Sequence, residues 1–215
     1  MKRITVSKVV QAFICLLIVF LILFPFAWLV ISTFKLQKDI IKWPPTFWPK
    51  TWTFDNYVEV FDRIPMARYI SNTVIFAGAV SLFSAFFDSL AGYAFAKLDF
   101  RGKELLFNIV LLTMLVPFQI IMIPLYIELH IVGILNTFVG LILPRITSAY
   151  GIYFMRSFFT GLPKELQEAA RIDGMGEFGI FWRIMLPLCK PAFLTFFIFS
   201  RPSNWNDRLL PMMMT

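Results

Sequence analysis

Apolar residues come in long unbroken runs along this chain, and polar ones gather in the short stretches between them. Four runs reach the roughly 20 mostly apolar residues that a helix needs to cross the hydrocarbon of a bilayer: positions 9–34, 69–96, 105–129 and 131–155. A fifth, 186–200, is short for a full crossing and stops at Arg201-Pro202. The first run follows Lys2, Arg3 and Lys8 but is too long for a signal-peptide core, and no small-residue cleavage site follows it, so it reads as an uncleaved span. The pattern predicts an all-α polytopic membrane protein, a single transmembrane domain over 1–215. Pro117, Pro124 and Pro144 fall inside spans and predict kinks.

Positive charge in the connections orients the spans. Lys2, Arg3 and Lys8, the turn with Lys97, Arg101 and Lys103, and the loop 156–190 with Arg156, Lys164, Arg171, Arg183 and Lys190 all fall on one side if the N-terminus is cytoplasmic. The turn 128–136, without Lys or Arg, then falls outside. The link 35–68 also falls outside in this arrangement although it is rich in Lys and Arg; its mixed charge and its length weaken its vote. Its Trp43-Pro44-Pro45, Trp48-Pro49 and Trp52 suit a semi-rigid extracytoplasmic segment with aromatic rings at headgroup depth.

Composition agrees with a bilayer. Hydrophobic residues make up 59% and charged ones 15%, with a mean hydropathy of +0.74, wrong for a water-facing surface. The net charge of +7 lies almost wholly between apolar runs, which excludes a nucleic-acid partner in favour of lipid headgroups. Cys15 and Cys189 are far apart in apolar surroundings and suggest neither disulfide nor metal site. His130 is the lone histidine, and no G-x-x-x-x-G-K-[ST] run is present to hold phosphates. The chain is expected to need no cofactor or metal and to catalyse no reaction.

The loop 156–190 is different. Pro163 suits the first position of a helix, Glu165 adds negative charge to its first turn, and Gly174 suits a left-handed stop, which predicts about three turns. Leu162, Leu166, Ala169, Ala170 and Asp173 share one narrow face with two alanines at its centre, open to the close approach of another protein. Lys164, Gln167, Glu168 and Arg171 fall on the other sides, with Lys164 and Glu168 spaced as an ion pair. Beyond Gly176, Phe178, Phe181, Trp182 and Met185 form a stripe expected to pack on the membrane domain until Pro187 ends the helix. Periodicity alone favours an amphipathic segment lying on the membrane surface.

Residue identities point elsewhere. Glu168, Ala169, Ala170, Gly174, Ile184, Leu186 and Pro187 match, at every spacing, the loop signature of permease subunits in binding-protein-dependent ABC importers, and the chain resembles that family. Ser71-Asn72-Thr73, Gly92-Tyr93-Ala94-Phe95-Ala96, Ile123-Pro124-Leu125-Tyr126, Gly140 through Pro144, Trp205-Asn206-Asp207 and Leu210-Pro211 are similar to its carbohydrate branch, the maltose-type second permease. The resemblance implies a coupling helix, carried by Glu168, Ala169, Ala170, Asp173, Gly174, Ile184, Leu186 and Pro187, seated in a groove of a separate ATPase subunit. It implies a heterodimer with a homologous permease, two ATPase subunits that use ATP and Mg, and an extracytoplasmic binding protein delivering a sugar, all at a bacterial inner membrane. It also implies a sixth span that this sequence lacks. Truncation to a non-transporting subunit, or a carrier or channel independent of ATP, are the alternatives.

Polar side chains inside spans are expensive against lipid and normally face a cavity or a partner. Asn72, Asp88, Gln119, Asn136 and Arg145 are therefore the candidates for a solute path, with helix-to-helix adhesion the competing role for the amides. Opposite charge suggests that Asp88 and Arg145 pair between the second and fourth spans.

Overall fold

The computed structural model describes residues 6–214, with the side chains at 6, 7, 9, 201 and 203 outside the description. The N-terminal Lys2 and Arg3 used above to orient the spans lie outside the described residues. Every described regular element is helical. The chain divides into two compact units, Met1–Tyr69 and Ile70–Thr215.

In the first unit, α1 (Val6–Ser32) is apolar on all sides, and Pro25 sits inside it. Its length and hydropathy are those of a helix that can cross a bilayer. The segment after it folds on aromatic rings. Phe34 packs against Trp52, Phe54 and Tyr57, and Phe47 packs against Phe24, Trp28 and Trp48. Lys35 is buried here: its Nζ donates to the Thr46 carbonyl at 2.5 Å and lies 4.3 Å from the centre of the Trp28 ring. Two short helices, α2 (Gln37–Ile40) and α3 (Asp55–Arg63), flank the proline-rich stretch, which is irregular because proline lacks the amide hydrogen a helix needs.

The second unit is built on α4 (Met66–Lys97), a continuous span with 44% of its apolar window buried. The later spans are each broken, a larger departure than the predicted kinks. The predicted span 105–129 is two helices, α5 (Lys103–Thr113) and α6 (Phe118–Val132), bent by 98°. Pro117 at the break carries no amide hydrogen and pushes its predecessor out of helical geometry. Pro124 stays within α6. The predicted span 131–155 begins later, after a left-handed turn at Gly133: α7 (Phe138–Ile142) runs into a 3₁₀ turn at Leu143–Arg145, then bends by 47° into α8 (Ala149–Thr160). Among the described residues, two helices are long and apolar enough to cross a membrane alone, and up to five spans result if each bent pair counts as one.

The core of this unit comes in two parts. One joins Tyr93 on α4 and Met155 and Phe159 on α8 to Ala170, Ile180, Phe181, Met185 and Cys189 of the polar loop. The other joins Leu129 on α6 to Leu210 and Met214 near the C-terminus, with Phe118, Ile134 and Leu141 packed around them. Between α4 and α8 the backbones nearly touch. A Cβ built on Gly92 would stand 2.8 Å from Met155 Cβ and from Arg156 N, and one on Gly151 would stand 2.0 Å from Asp88 Oδ2.

Candidate functional site: the loop after the fourth span

The loop holds α9 (Glu165–Ile172), two turns rather than three, because the first helical residue is Glu165 and not Pro163. The Lys164 carbonyl accepts from the amides of Gln167 and Glu168, so the first turn closes there. Gly174 takes φ +80°, a left-handed stop that a side chain would strain, and Met175 N donates back to the Ala170 carbonyl to close the end.

The predicted alanine face is split. Ala170 is 3% exposed and packs into the core with Tyr93 and Phe159, while Ala169 is exposed. Gln167, assigned by periodicity to an outer side, is also only 3% exposed. The reason is polar: Gln167 is turned inward by hydrogen bonds that an apolar-face reading does not weigh. Its Nε2 donates to Tyr93 Oη at 3.2 Å and to Glu177 Oε2 at 3.1 Å. With 167 and 170 inward, the opposite side presents Glu165, Glu168, Ala169 and Ile172, and Ile172 is 86% exposed. Asp173 and Gly174 are exposed at its end.

Glu177 is the centre of this network, and it was missed in the sequence. Tyr93 Oη donates to its Oε2 at 2.8 Å, and Arg171 Nε donates to its Oε1 at 2.6 Å. The predicted Lys164–Glu168 pair does not form; among the described residues Arg171–Glu177 is the ion pair with both partners in this loop. Partial burial alone would push the Glu177 carboxyl up, but the hydrogen bonds from Arg171, Tyr93 and Gln167 outweigh it and hold the group below the usual carboxylate range. Three elements thus meet on one carboxylate: α4, α9 and the start of α10 (Glu177–Leu188). Lys97, at the end of α4, adds a second tie by donating from Nζ to the Leu162 carbonyl at 2.5 Å. A tyrosine near the polar end of a span and a glutamate directly after a helix-stopping glycine pair were the available signals.

The aromatic stripe is only half buried. Phe181 and Met185 are inside, whereas Phe178 and Trp182 are mostly exposed and Ile180 is inside instead. A π-helical stretch at Phe181–Met185 widens the turn and rotates the buried side, so 3.6-residue spacing misplaces it. Ile184 and Leu186 pack against the core from partly buried positions. Pro187 does not end the helix; it stands in the last turn of α10, whose final residues 186–188 are α-helical. The break comes at Cys189, where the chain turns by 80° into α11 (Lys190–Trp205), with Pro191 in its first turn. The fifth run is therefore two arms, and its apolar crossing part starts at 190 rather than 186.

Among the path candidates, Asp88 and Arg145 are not partners. Asp88 is fully buried and accepts four hydrogen bonds: from Ser84 Oγ at 2.7 Å, Thr147 Oγ1 at 2.6 Å, Ser148 N at 2.9 Å and Ser148 Oγ at 3.0 Å. Arg145 pairs with Asp207, Nη2 to Oδ2 at 2.5 Å. Charge sign alone selected the wrong acid because hydroxyl and amide donors, invisible to charge counting, already satisfy Asp88. Asn72 on α4, Gln119 in the first turn of α6, and Asn136, at φ +56° in the turn before α7, are all exposed, unlike the buried Asp88.

The chain matches the family model described as the inner membrane component of binding-protein-dependent transport systems, over residues 88–215. It is similar to the arabinooligosaccharides transport system permease protein AraQ of Halalkalibacterium halodurans, 35% identical over 198 residues, 91% of this chain and 71% of that protein. The lactose transport system permease protein LacG of Rhizobium radiobacter is 34% identical over 204 residues, 95% of this chain and 74% of that protein. A solved bacterial ABC transporter involved in import of the acidic polysaccharide alginate shares the fold, with a TM-score of 0.85 at 23% identity over all of this chain and 77% of its own.

Proposed function

The chain belongs to the family of inner membrane components of binding-protein-dependent transport systems, and we propose that it is the permease subunit of an ATP-driven sugar importer. Relatives named for arabinooligosaccharide and lactose transport support the sugar class, while their spread leaves the individual sugar to the binding protein and the second permease. The chain forms half of the solute path with a homologous permease; ATP and Mg are used by two separate ATPase subunits. A carrier working alone would have no use for a helix fixed to the bundle by one side with its outer face bare.

The observation that carries this reading is the mounting of α9. Its inner side is fixed by Ala170 packing and by Gln167, Tyr93 and Glu177, while Glu165, Glu168, Ala169 and Ile172 face outward. A helix so fixed moves with α4 and α10 when its outer face is pushed. Basic residues at Lys97, Arg101, Lys103, Arg156, Lys164 and Arg183 support a cytoplasmic position for this loop and for the N-terminus.

The test is reconstitution of this chain with its second permease, ATPase and binding protein in liposomes. ATP-dependent uptake of a radiolabelled oligosaccharide, abolished by Ala169→Arg with assembly retained, is the expected result. Uptake that needs no ATPase would overturn it.

A further inference from the structure

Between Arg145 and Ser148 the fourth span changes direction, and each end of that short link is tied to a different half of the core. At the Ser148 end, Asp88 accepts the four hydrogen bonds described above, and Ser148 Oγ also accepts from Gly151 N to cap α8. Asp88 stands on α4 five residues from Tyr93, on the same continuous helix, about 7.5 Å along its axis. At the other end stands Arg145. Its guanidinium pairs with Asp207 and lies 4.5 Å from the centre of the Phe118 ring. Phe118 is the first residue after the 98° break, and Asp207 follows the end of α11, its Oδ1 accepting from Leu210 N at 3.4 Å at the start of α12 (Leu209–Met214). One guanidinium therefore joins the link that carries it to two other places where the backbone turns.

The two ties differ in kind. Asp88 has no exposed surface and four donors converging on it. The Arg145 and Asp207 side chains are 28% and 8% exposed, they meet through one guanidinium nitrogen, and the buried Arg145 Nε has no hydrogen-bond partner. Breaking the first would separate a buried carboxylate from four donors; breaking the second parts a single contact and leaves Asp207 with the Leu210 amide.

We propose that residues 145–148 form the hinge of the transport cycle, with Asp88 as its fixed bearing and the Arg145–Asp207 ion pair as its releasable catch. Movement imposed on α9 passes through Glu177 to Tyr93, along α4 to Asp88, and from Ser148 to the link. The catch holds the half built on α6, α7 and α12 until that displacement releases it. This rests on the reading that α9 receives the motion of an ATPase. Asp88, Arg145 and Asp207 are positioning residues and need not touch the solute.

The experiment uses the complete importer in liposomes and reads two quantities: ATP hydrolysis without binding protein, and sugar taken up per ATP with it. Arg145→Gln and Asp207→Asn should each raise basal hydrolysis and lower uptake per ATP by at least about fivefold, the lower end of ordinary coupling energies. The exchanged pair, Arg145→Asp with Asp207→Arg, should bring both back toward wild type. A charge-exchanged complex as uncoupled as the singles, or an unchanged ratio in Arg145→Gln, overturns the catch. Absence of ATP-driven uptake in the wild-type complex instead overturns the functional reading, and the hinge with it.

Discussion

Tyr93 donates its phenolic hydrogen to Glu177 Oε2 at 2.8 Å, joining a spanning helix to the polar loop 84 positions later. The same carboxylate takes Arg171 and Gln167 from α9, so one acidic side chain gathers the polar ties between loop and bundle, beside the apolar core and the Lys97 contact. Glu177→Ala removes three acceptor contacts and leaves the buried Gln167 amide short of a partner, at a cost of about 1–3 kcal/mol. Hydrogen exchange should show residues 165–180 losing protection, and uptake per ATP should fall, while α1 and its aromatic segment stay protected. Tyr93→Phe should act in the same direction and more weakly.

The depressed Glu177 carboxyl fixes a sign for acid. A carboxyl held below its ordinary value contributes stability that is complete above the ordinary carboxylate range and is lost as pH falls through the folded value. Protection of the α9 amides should stay level from neutral pH down to that range and drop below it. In Glu177→Gln the drop should vanish.

Gly151 and Gly179 make a matched pair. A Cβ at 151 would meet Asp88 Oδ2 at 2.0 Å and Phe196 Cζ at 2.5 Å, and neither the buried acid nor the ring has room to retreat. At 179 the nearest atom is Cγ of Met175, 3.6 Å away. Gly151→Ala should destabilise the detergent-solubilised protein by about 1–3 kcal/mol, seen as a lower melting midpoint. Gly179→Ala should leave it unchanged or raise it slightly, since alanine is the better helix former.

Much of the chain was legible as sequence because bilayers demand long apolar runs, and the runs fall where helices form. The signature from Glu168 to Pro187 led to the correct family for the same kind of reason: spacing of small and turn-forming residues is written locally. What stayed hidden depends on long-range polar contacts. Charge sign cannot tell that Ser84, Thr147 and Ser148 satisfy Asp88, so Arg145 was given the wrong acid. Periodicity cannot tell that Gln167 turns inward to Tyr93 and Glu177, so Ala169 and Ala170 were placed on one free face. The π-helical stretch at Phe181–Met185 shifts the buried side by a fraction of a turn, so 3.6-residue spacing places Trp182 inside although it is exposed. Prolines were read as kinks, yet Pro117 marks a near right angle and Pro124 no break at all.

The division between Ala169 and Ala170 gives the most direct measurement. Single cysteines at each position, in a Cys15→Ser, Cys189→Ala background within the assembled importer, are treated with a short bifunctional thiol reagent against cysteines scanned along the ATPase groove. A cross-link from Ala169→Cys that changes yield with nucleotide, and none from the buried Ala170→Cys, is the predicted result. An Ala169→Cys that is never captured by the ATPase, in complexes that still hydrolyse ATP and take up sugar, would contradict the account.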